Sequence, residues 1–265
     1  MRLALGLEYD GRSFNGFQRQ TERPTVQAEL ERALTQIADE PIMLTAAGRT
    51  DSGVHATGQV VSFSCSAERP LRAWTRGVNS LTSPALTVCW AETVANDFHP
   101  RYHATARRYQ YIWYEGETQS ALMSGLAARA SPLDDVAMHR AAQGLLGERD
   151  FTSYRGAGCQ SASAFRCVHR IGVLRHGPLV VLDVTANAFL LHMVRNIAGA
   201  LVQVGKGERS AAWPAQLIEA RDRRLLGPTA PPEGLYLVQV DYPDQRFPRA
   251  PLPPLLRVLG DAARF

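Results

Sequence analysis

Two apolar runs flank the tripeptide His176-Gly177-Pro178 inside Gly172–Ala186. Strand-forming runs joined by so short a glycine-containing turn read as a β-hairpin, and a hairpin sets its two strands antiparallel. A purely parallel α/β sheet is therefore excluded, and the other periodicities have to be fitted to an antiparallel or mixed sheet.

Arg2–Asp10 reads as an opening strand, and Asp10–Gln20 (DGRSFNGFQRQ) as a glycine-rich turn. Thr25 stands where a helix N-cap is wanted, and Val26, Leu30, Leu34 and Ile37 recur at helical spacing, so Val26–Ala38 is predicted to be an amphipathic helix. Gly58–Ser64 reads as a strand, Leu71–Ser80 as a helix and Leu86–Val94 as a strand. Tyr109, Tyr111 and Trp113 then alternate with Arg108, Gln110 and Ile112, a period of two that puts all three aromatics on one buried sheet face. Ser131-Pro132-Leu133-Asp134 resembles a capping box and predicts a helix to about Leu146. Asn187–Val204 is predicted to be a helix with Met193, Ile197, Leu201 and Val204 on its apolar face and Gly205 as its C-cap. Trp213–Leu226 reads as a further helix and Gly234–Asp241 as a strand.

The order is β-α-β-α-β followed by β-α-β-β-α-α-β, which predicts an α+β fold. Two halves of similar layout meet near Ala104–Arg108, without a clear sequence repeat. The expected organisation is an N-terminal half over 1–105, a C-terminal half over 106–245 and a proline-rich, partly ordered tail over 246–265.

With 265 residues, 45% of them hydrophobic, the chain can bury a sizeable core. Its net charge of +4 is a mild pull toward anionic partners. Lys206 is the single lysine. Arginine suits phosphate recognition, but so lopsided a ratio in an alanine-rich chain fits GC-rich coding, so arginine content does not by itself indicate nucleic acid. Cys65, Cys89, Cys159 and Cys167 form no C-x-x-C pair. The chain reaches acidic residues early, and no apolar run approaches the ~20 residues of a membrane span. A cytoplasmic protein with free thiols and no membrane association is expected.

The chemistry centres on Ala47–Ala56, AGRTDSGVHA. Asp-Ser-Gly is common turn chemistry, and taken alone these residues favour a structural turn. Yet glycines let a ligand approach the backbone, and a carboxylate between them can serve as nucleophile or base. Other chemistries find less support. His99 and His103 have the H-x3-H spacing of a zinc site, but Pro100 interrupts a helix there and no third ligand stands nearby, so no metal is expected. The phosphate-binding glycine motifs and G-x-S-x-G are absent, so neither a nucleotide cofactor nor a serine hydrolase built on Ser52 and His55 is supported. Arg195 lies in the apolar stretch FLLHMVRNIAGALVQV, where a cation either snorkels to water or is paired.

Six stretches together resemble one family. They are Tyr9–Gln20, Ala47–Ala56, Phe98–Tyr111, Asp150–Ser161, Phe189–Gly207 and Pro231–Val240, in the family's order and spread over about Leu3 to Tyr242. The chain resembles the tRNA pseudouridine synthases that modify positions 38 to 40 of the anticodon stem-loop. The resemblance implies two similar α+β halves in a mixed, largely antiparallel sheet with flanking helices, a homodimer, and a basic cleft. It implies that Asp51 is the catalytic aspartate, acting at the ribose C1′, at the uracil C6 or through an elimination route. Arg195 would pair with Asp51, Tyr109 would stack on the target base and take part in proton transfer, and Arg49 would hold the vacated position in the RNA. His55 and Arg107 would join Arg49 and Tyr109 in binding substrate. No metal or cofactor is implied, because the isomerisation neither gains nor loses atoms. Leu191, where the family often has tyrosine, and Ser161–Phe165 depart from the family pattern. The competing expectations are a non-catalytic RNA-binding module, which would not need Asp51 and Arg195 together, and a pseudouridine synthase with another RNA target.

Overall fold

A computed structural model describes residues 1–257. In chain order its elements are β1 (Arg2–Tyr9), α1 (Val26–Ala38), β2 (Thr45–Ala46), β3 (His55–Ser64), β4 (Leu86–Val94), β5 (Ala106–Glu115), β6 (Ala128–Ala130), α2 (Asp135–Gln143), β7 (Gly147–Asp150), β8 (Phe165–His176), β9 (Leu179–Ala186), α3 (Met193–Gly205), α4 (Trp213–Ala220), β10 (Leu235–Asp241) and α5 (Pro254–Arg257). The chain divides into two compact units. One is Met1–Thr105 with Tyr236–Pro253; the other is Ala106–Leu235 with the described residues from Pro254 on. The strand β10, expected with the C-terminal half, thus lies from Tyr236 onward in the first unit.

In the first unit the strand order is β4-β1-β3-β10, with β2 also on β3. β1 runs antiparallel to β3 and β4. β10 is parallel to β3, through Tyr236 opposite His55 and Leu237 opposite Ala56. Alternation along β1 separates Leu3, Leu5 and Leu7 from Ala4 and Gly6. The leucines share their face with Val61 and Phe63, and all five are buried. α1 matches its sequence reading residue for residue: Thr25 Oγ1 accepts from Ala28 N, and Val26, Leu30 and Leu34 are fully buried. Leu71–Ser80 is helical as expected but contains a π-helical turn, Ala73–Gly77, which buries Trp74 edge-on against Phe63. On the other face Ala4, Ala47, Val60, Val94, Phe98 and Tyr242 form a buried cluster with Trp90 and Phe247 packed on it.

The tail expected to be partly ordered is built into this cluster. Phe247 stacks on Trp90 at 4.6 Å between centroids and meets Phe98 and Tyr242 edge-on. Residues 258–265 of that tail lie outside the described residues.

In the second unit β5 pairs antiparallel with β9 and parallel with β6, β9 pairs with β8, and β8 with β7. The hairpin is β8–β9, turning through Gly177 at φ +57°, a conformation that favours glycine. The aromatic run of β5 is buried as expected, with the Tyr111 and Trp113 rings 4.8 Å apart. Asp183, buried on β9, accepts from Arg108 Nε and Nη2 and from Gln110 Nε2, so its charge is paired and hydrogen-bonded.

The boundaries of α2, α3 and α4 differ from the sequence reading. α2 begins at Asp135, not after Ser131: Leu133 N is taken by Glu115 Oε1 and Asp134 N by Gly205 O, and the cap is Asp134, whose carboxylate accepts from Ala137 N. α3 begins at Met193, not Asn187. Asn187 is tied to β8 through Cys167, and His192 enters the left-handed region at φ +60°. The left-handed glycine after α3 is Gly207 (φ +73°), and Gly205 is helical. α4 stops at Ala220, where Arg221 turns left-handed. No helix among the described residues is long and apolar enough to cross a membrane.

Candidate active site

AGRTDSGVHA spans the segment between β2 and β3 and the first two residues of β3, and the glycine-rich turn after β1 holds it in place. Phe17 N donates to Thr50 O at 3.0 Å, and Ser52 Oγ donates to Phe14 O. Thr50 Oγ1 and Tyr9 Oη share a buried hydrogen bond of 2.8 Å. Gln59 Nε2 donates to Gly48 O at 2.7 Å. Val54 N closes a turn onto Asp51 O, with Gly53 at φ +78° in the position that requires glycine.

Two further glycines let the segments touch. A Cβ on Gly11 would sit 2.3 Å from Val54 O, and one on Gly16 would sit 3.0 Å from Thr50 O, with the backbone there at φ +91°. Two glycine-rich stretches that looked like separate turns are therefore one assembly. Thr50 is buried at its centre, while Arg49 beside it is exposed and Asp51 is half-buried.

His55 is 2% exposed and sits under the loop. Its Nδ1 accepts from Gly11 N at 3.1 Å, so Nδ1 carries no proton, and its ring stacks on Tyr236 at 4.6 Å. Asp10 Oδ1 approaches the same nitrogen at 3.4 Å, a contact that becomes an ion pair only if the ring protonates and gives up the Gly11 bond. Burial pushes the Asp10 carboxyl up, but side-chain and backbone hydrogen bonds from Arg12 outweigh it and leave it below the usual carboxylate range. Burial pushes the Tyr9 phenol up to about 12, against smaller opposing contributions from Thr50 and Gln59, so Tyr9 is neutral at ordinary pH.

Arg107, Tyr109 and Arg195 belong to the second unit. Tyr109 is 8% exposed and meets Phe189 edge-on at 5.1 Å. Arg107 is equally buried, and its Nη1 donates to Asn187 O. Arg195, half-buried on α3, donates from Nε to Ala230 O at 2.8 Å, while Arg195 O accepts from Ala230 N. The Nε bond orients the guanidinium, which simple snorkelling would leave loose, and the main-chain bond fixes the position of its acceptor. In the divergent loop Arg155 donates to Cys159 O and Ser161 O, and Arg166 to Ser161 Oγ. Leu191 contributes its carbonyl to Gly156 N.

The first unit thus carries Arg49, Asp51 and His55 on one stretch, with His55 tied to Gly11 of the turn that anchors it. Tyr9, Gly11, Gly16 and Gln59 position the loop and were not singled out from sequence. Their only signal was that the two stretches occur in one chain, which does not reveal contact. Among the described residues no group of three or more His, Cys, Asp or Glu side chains could hold a metal ion.

Residues 7–103 and 141–243 match the family model described as tRNA pseudouridine synthase. The tRNA pseudouridine synthase A of Escherichia fergusonii is 52% identical over 256 residues, covering 96% of this chain and 95% of that protein. The protein of the same name from Shewanella frigidimarina is 49% identical over 257 residues, covering 96% and 98%. Among solved structures, a chain in a Cbf5-Nop10-Gar1 complex is 16% identical with a TM-score of 0.35, covering 76% of this chain and 45% of that one, a likeness too slight to carry an argument. The family match takes in both the turn that anchors the loop and the loop that carries Asp51, and at about half identity over nearly the whole length this chain belongs to the tRNA pseudouridine synthase family.

Proposed function

We propose that the protein isomerises uridine to pseudouridine at positions 38, 39 and 40 of the tRNA anticodon stem-loop, and that the Asp51 carboxylate starts the reaction. The carrying observation is the anchored loop: Thr50 is tied down by Tyr9 and Phe17 while Asp51 next to it is half-buried and Arg49 exposed. A preorganised carboxylate of this kind suits attack on a nucleotide turned out of its stack. The N1–C1′ bond breaks, the uracil turns, and C5 bonds to C1′. The proton at C5 is lost and N1 gains one, so the step balances without an oxidant, reductant or added group.

In this reading Arg195 pairs with Asp51 and holds its carboxylate in position. Tyr109 stacks on the target base and takes part in proton transfer, and Arg49 holds the vacated position in the RNA. Arg107 contributes to substrate binding, and His55 contributes by supporting the loop. Turning the nucleotide out costs about a few kcal/mol, which stacking and phosphate contacts must offset. A homodimer working in the cytoplasm is part of the same proposal and rests on the family resemblance.

The test is to incubate the protein with unmodified tRNA transcripts and map pseudouridine. Modification confined to positions 38–40 is the expected result. Modification elsewhere would point to another RNA target, and tight binding without modification to a non-catalytic RNA-binding module.

A further inference from the structure

The face of the first sheet that carries Ala4 and Gly6 is lined with small residues, and large groups lie directly on it. A Cβ on Gly6 would sit 2.0 Å from Trp90 Nε1, so the indole rests on bare backbone. A Cβ on Gly58 would sit 2.3 Å from Val238 O and 3.0 Å from the Ala250 Cβ. The chain after β10 therefore crosses this face as a strap, pinned at Phe247 by Trp90, Phe98 and Tyr242. Strap and sheet enclose a groove of about 400 Å3 whose lining belongs wholly to the first unit.

The lining has a specific chemistry. Thr57 is 3% exposed, and its Oγ1 has no hydrogen-bond partner among the described residues. Leaving such a hydroxyl unpaired is unfavourable, and a ligand with a polar edge would relieve it. Trp90 lines the groove with the edge of an indole whose faces are taken by Phe247 and the Gly6 backbone. Arg246 and Arg249, both exposed on the strap, line the same groove. Asp241 is the one carboxylate in the lining, and it is engaged by Gln239 Nε2. An apolar ligand would waste the hydroxyl and the two guanidinium forks, and a small anion would leave most of the volume and the indole unused. A nucleotide uses all of them: a base whose polar edge meets the hydroxyl and whose rim packs against the indole edge, and phosphates for the arginines.

We propose that this groove holds a nucleotide of the RNA substrate other than the target, its base against Trp90 and Thr57 and its phosphates on Arg246 and Arg249. Thr57 follows His55 by two positions on β3, about 7 Å along the strand from the Asp51 loop. That is the scale of a neighbouring nucleotide. The assignment rests on the tRNA reading above and adds to it a specificity contact remote from the reacting base.

The test is tRNA binding as a function of salt, with single-turnover rates at saturating tRNA. Arg246→Ala with Arg249→Ala should weaken binding of an unmodified transcript about tenfold and lower the slope of log Kd against log salt by about 1.5, the signature of two lost phosphate contacts. The saturated rate should stay within about twofold, since neither residue touches the reacting atoms. Thr57→Val, nearly isosteric, should raise KM several-fold with no loss of thermal stability. Unchanged affinity and salt slope in the double variant would overturn the proposal. So would a change in sedimentation with the salt slope untouched, which would mark the groove as an interface between copies. Because the groove is read by binding, a wild-type protein that binds tRNA without modifying it would overturn the catalytic reading alone.

Discussion

A carboxylate can start a glycosyl transfer only if it is ionised and aimed, and the two requirements separate at Asp51. Asp51→Asn keeps the shape of the side chain and the Val54 turn, which uses the backbone oxygen, but removes the charge. Turnover is expected to fall by about three orders of magnitude or more, with tRNA affinity changed less than about threefold. Single-turnover assays and filter binding on the same preparation read both quantities. Near-wild-type turnover would remove Asp51 from the nucleophile role, and lost affinity would make it a structural residue. Tyr9 makes a different prediction. Its phenol titrates near 10 in an unfolded chain and about 12 in the fold, where burial disfavours the anion. Above pH ~10 the unfolded chain sheds a proton that the folded protein keeps, so this stabilisation is complete below that pH and is lost as pH rises through about 12. Urea denaturation between pH 9 and 12 should show a shallower decline for Tyr9→Phe than for wild type. Parallel declines would mean that Tyr9 does not titrate as a buried phenol.

At the next scale the proposed site is a pair of segments, the turn after β1 and the loop before β3. Apart from the short 3₁₀ turn Gly11–Ser13, neither has regular secondary structure to hold it, so backbone contact adds to side-chain packing, and glycine is what permits the contact. Gly11→Ala tests this. Its methyl would meet Val54 O and C, which are backbone atoms and cannot swing aside. The loop must shift, at a cost of about 1–3 kcal/mol. Activity should fall by more than about tenfold, because small displacements of a reacting group are amplified in rate. Circular dichroism and turnover measured together distinguish a displaced loop from a collapsed unit. A Gly11→Ala protein with wild-type activity would mean that the turn does not position Asp51.

At the scale of the whole molecule, the first unit completes its sheet with elements remote in sequence. The first unit recruits β10 and the strap from the far end of the chain. If the strap is part of the core, Phe247→Ala should lower stability by about 2 kcal/mol, less than for a fully buried phenylalanine because the ring is half-exposed. Urea unfolding followed by tryptophan fluorescence would report it, since Trp90 stacks on that ring. A change below about 0.5 kcal/mol would be the behaviour of a solvated tail.

Periodicity alone located most of the elements, because spacings of 3.6 and 2 are imposed by local backbone geometry. α1 and its Thr25 cap, β4, and the antiparallel β8–β9 hairpin all follow from residues close in sequence. The stretch around Asp51 stood out for its composition, and the family was legible because six motifs occur in order. What the spacing could not decide was set by partners far along the chain. Asn187 resembles a helix start until its bonds to Cys167 hold it to β8, and Ser131 resembles a cap until Glu115 and Gly205 take the backbone groups that follow it. The proline-rich strap reads as a tail until Phe247 finds Trp90, Phe98 and Tyr242. The loop's anchors, Tyr9 to Thr50 and Gly11 to Val54, join residues about forty positions apart. Local sequence determines which conformations a segment favours, whereas the choice among them, and the aim of a catalytic side chain, is made by hydrogen bonds and packing that exist only once distant segments have met.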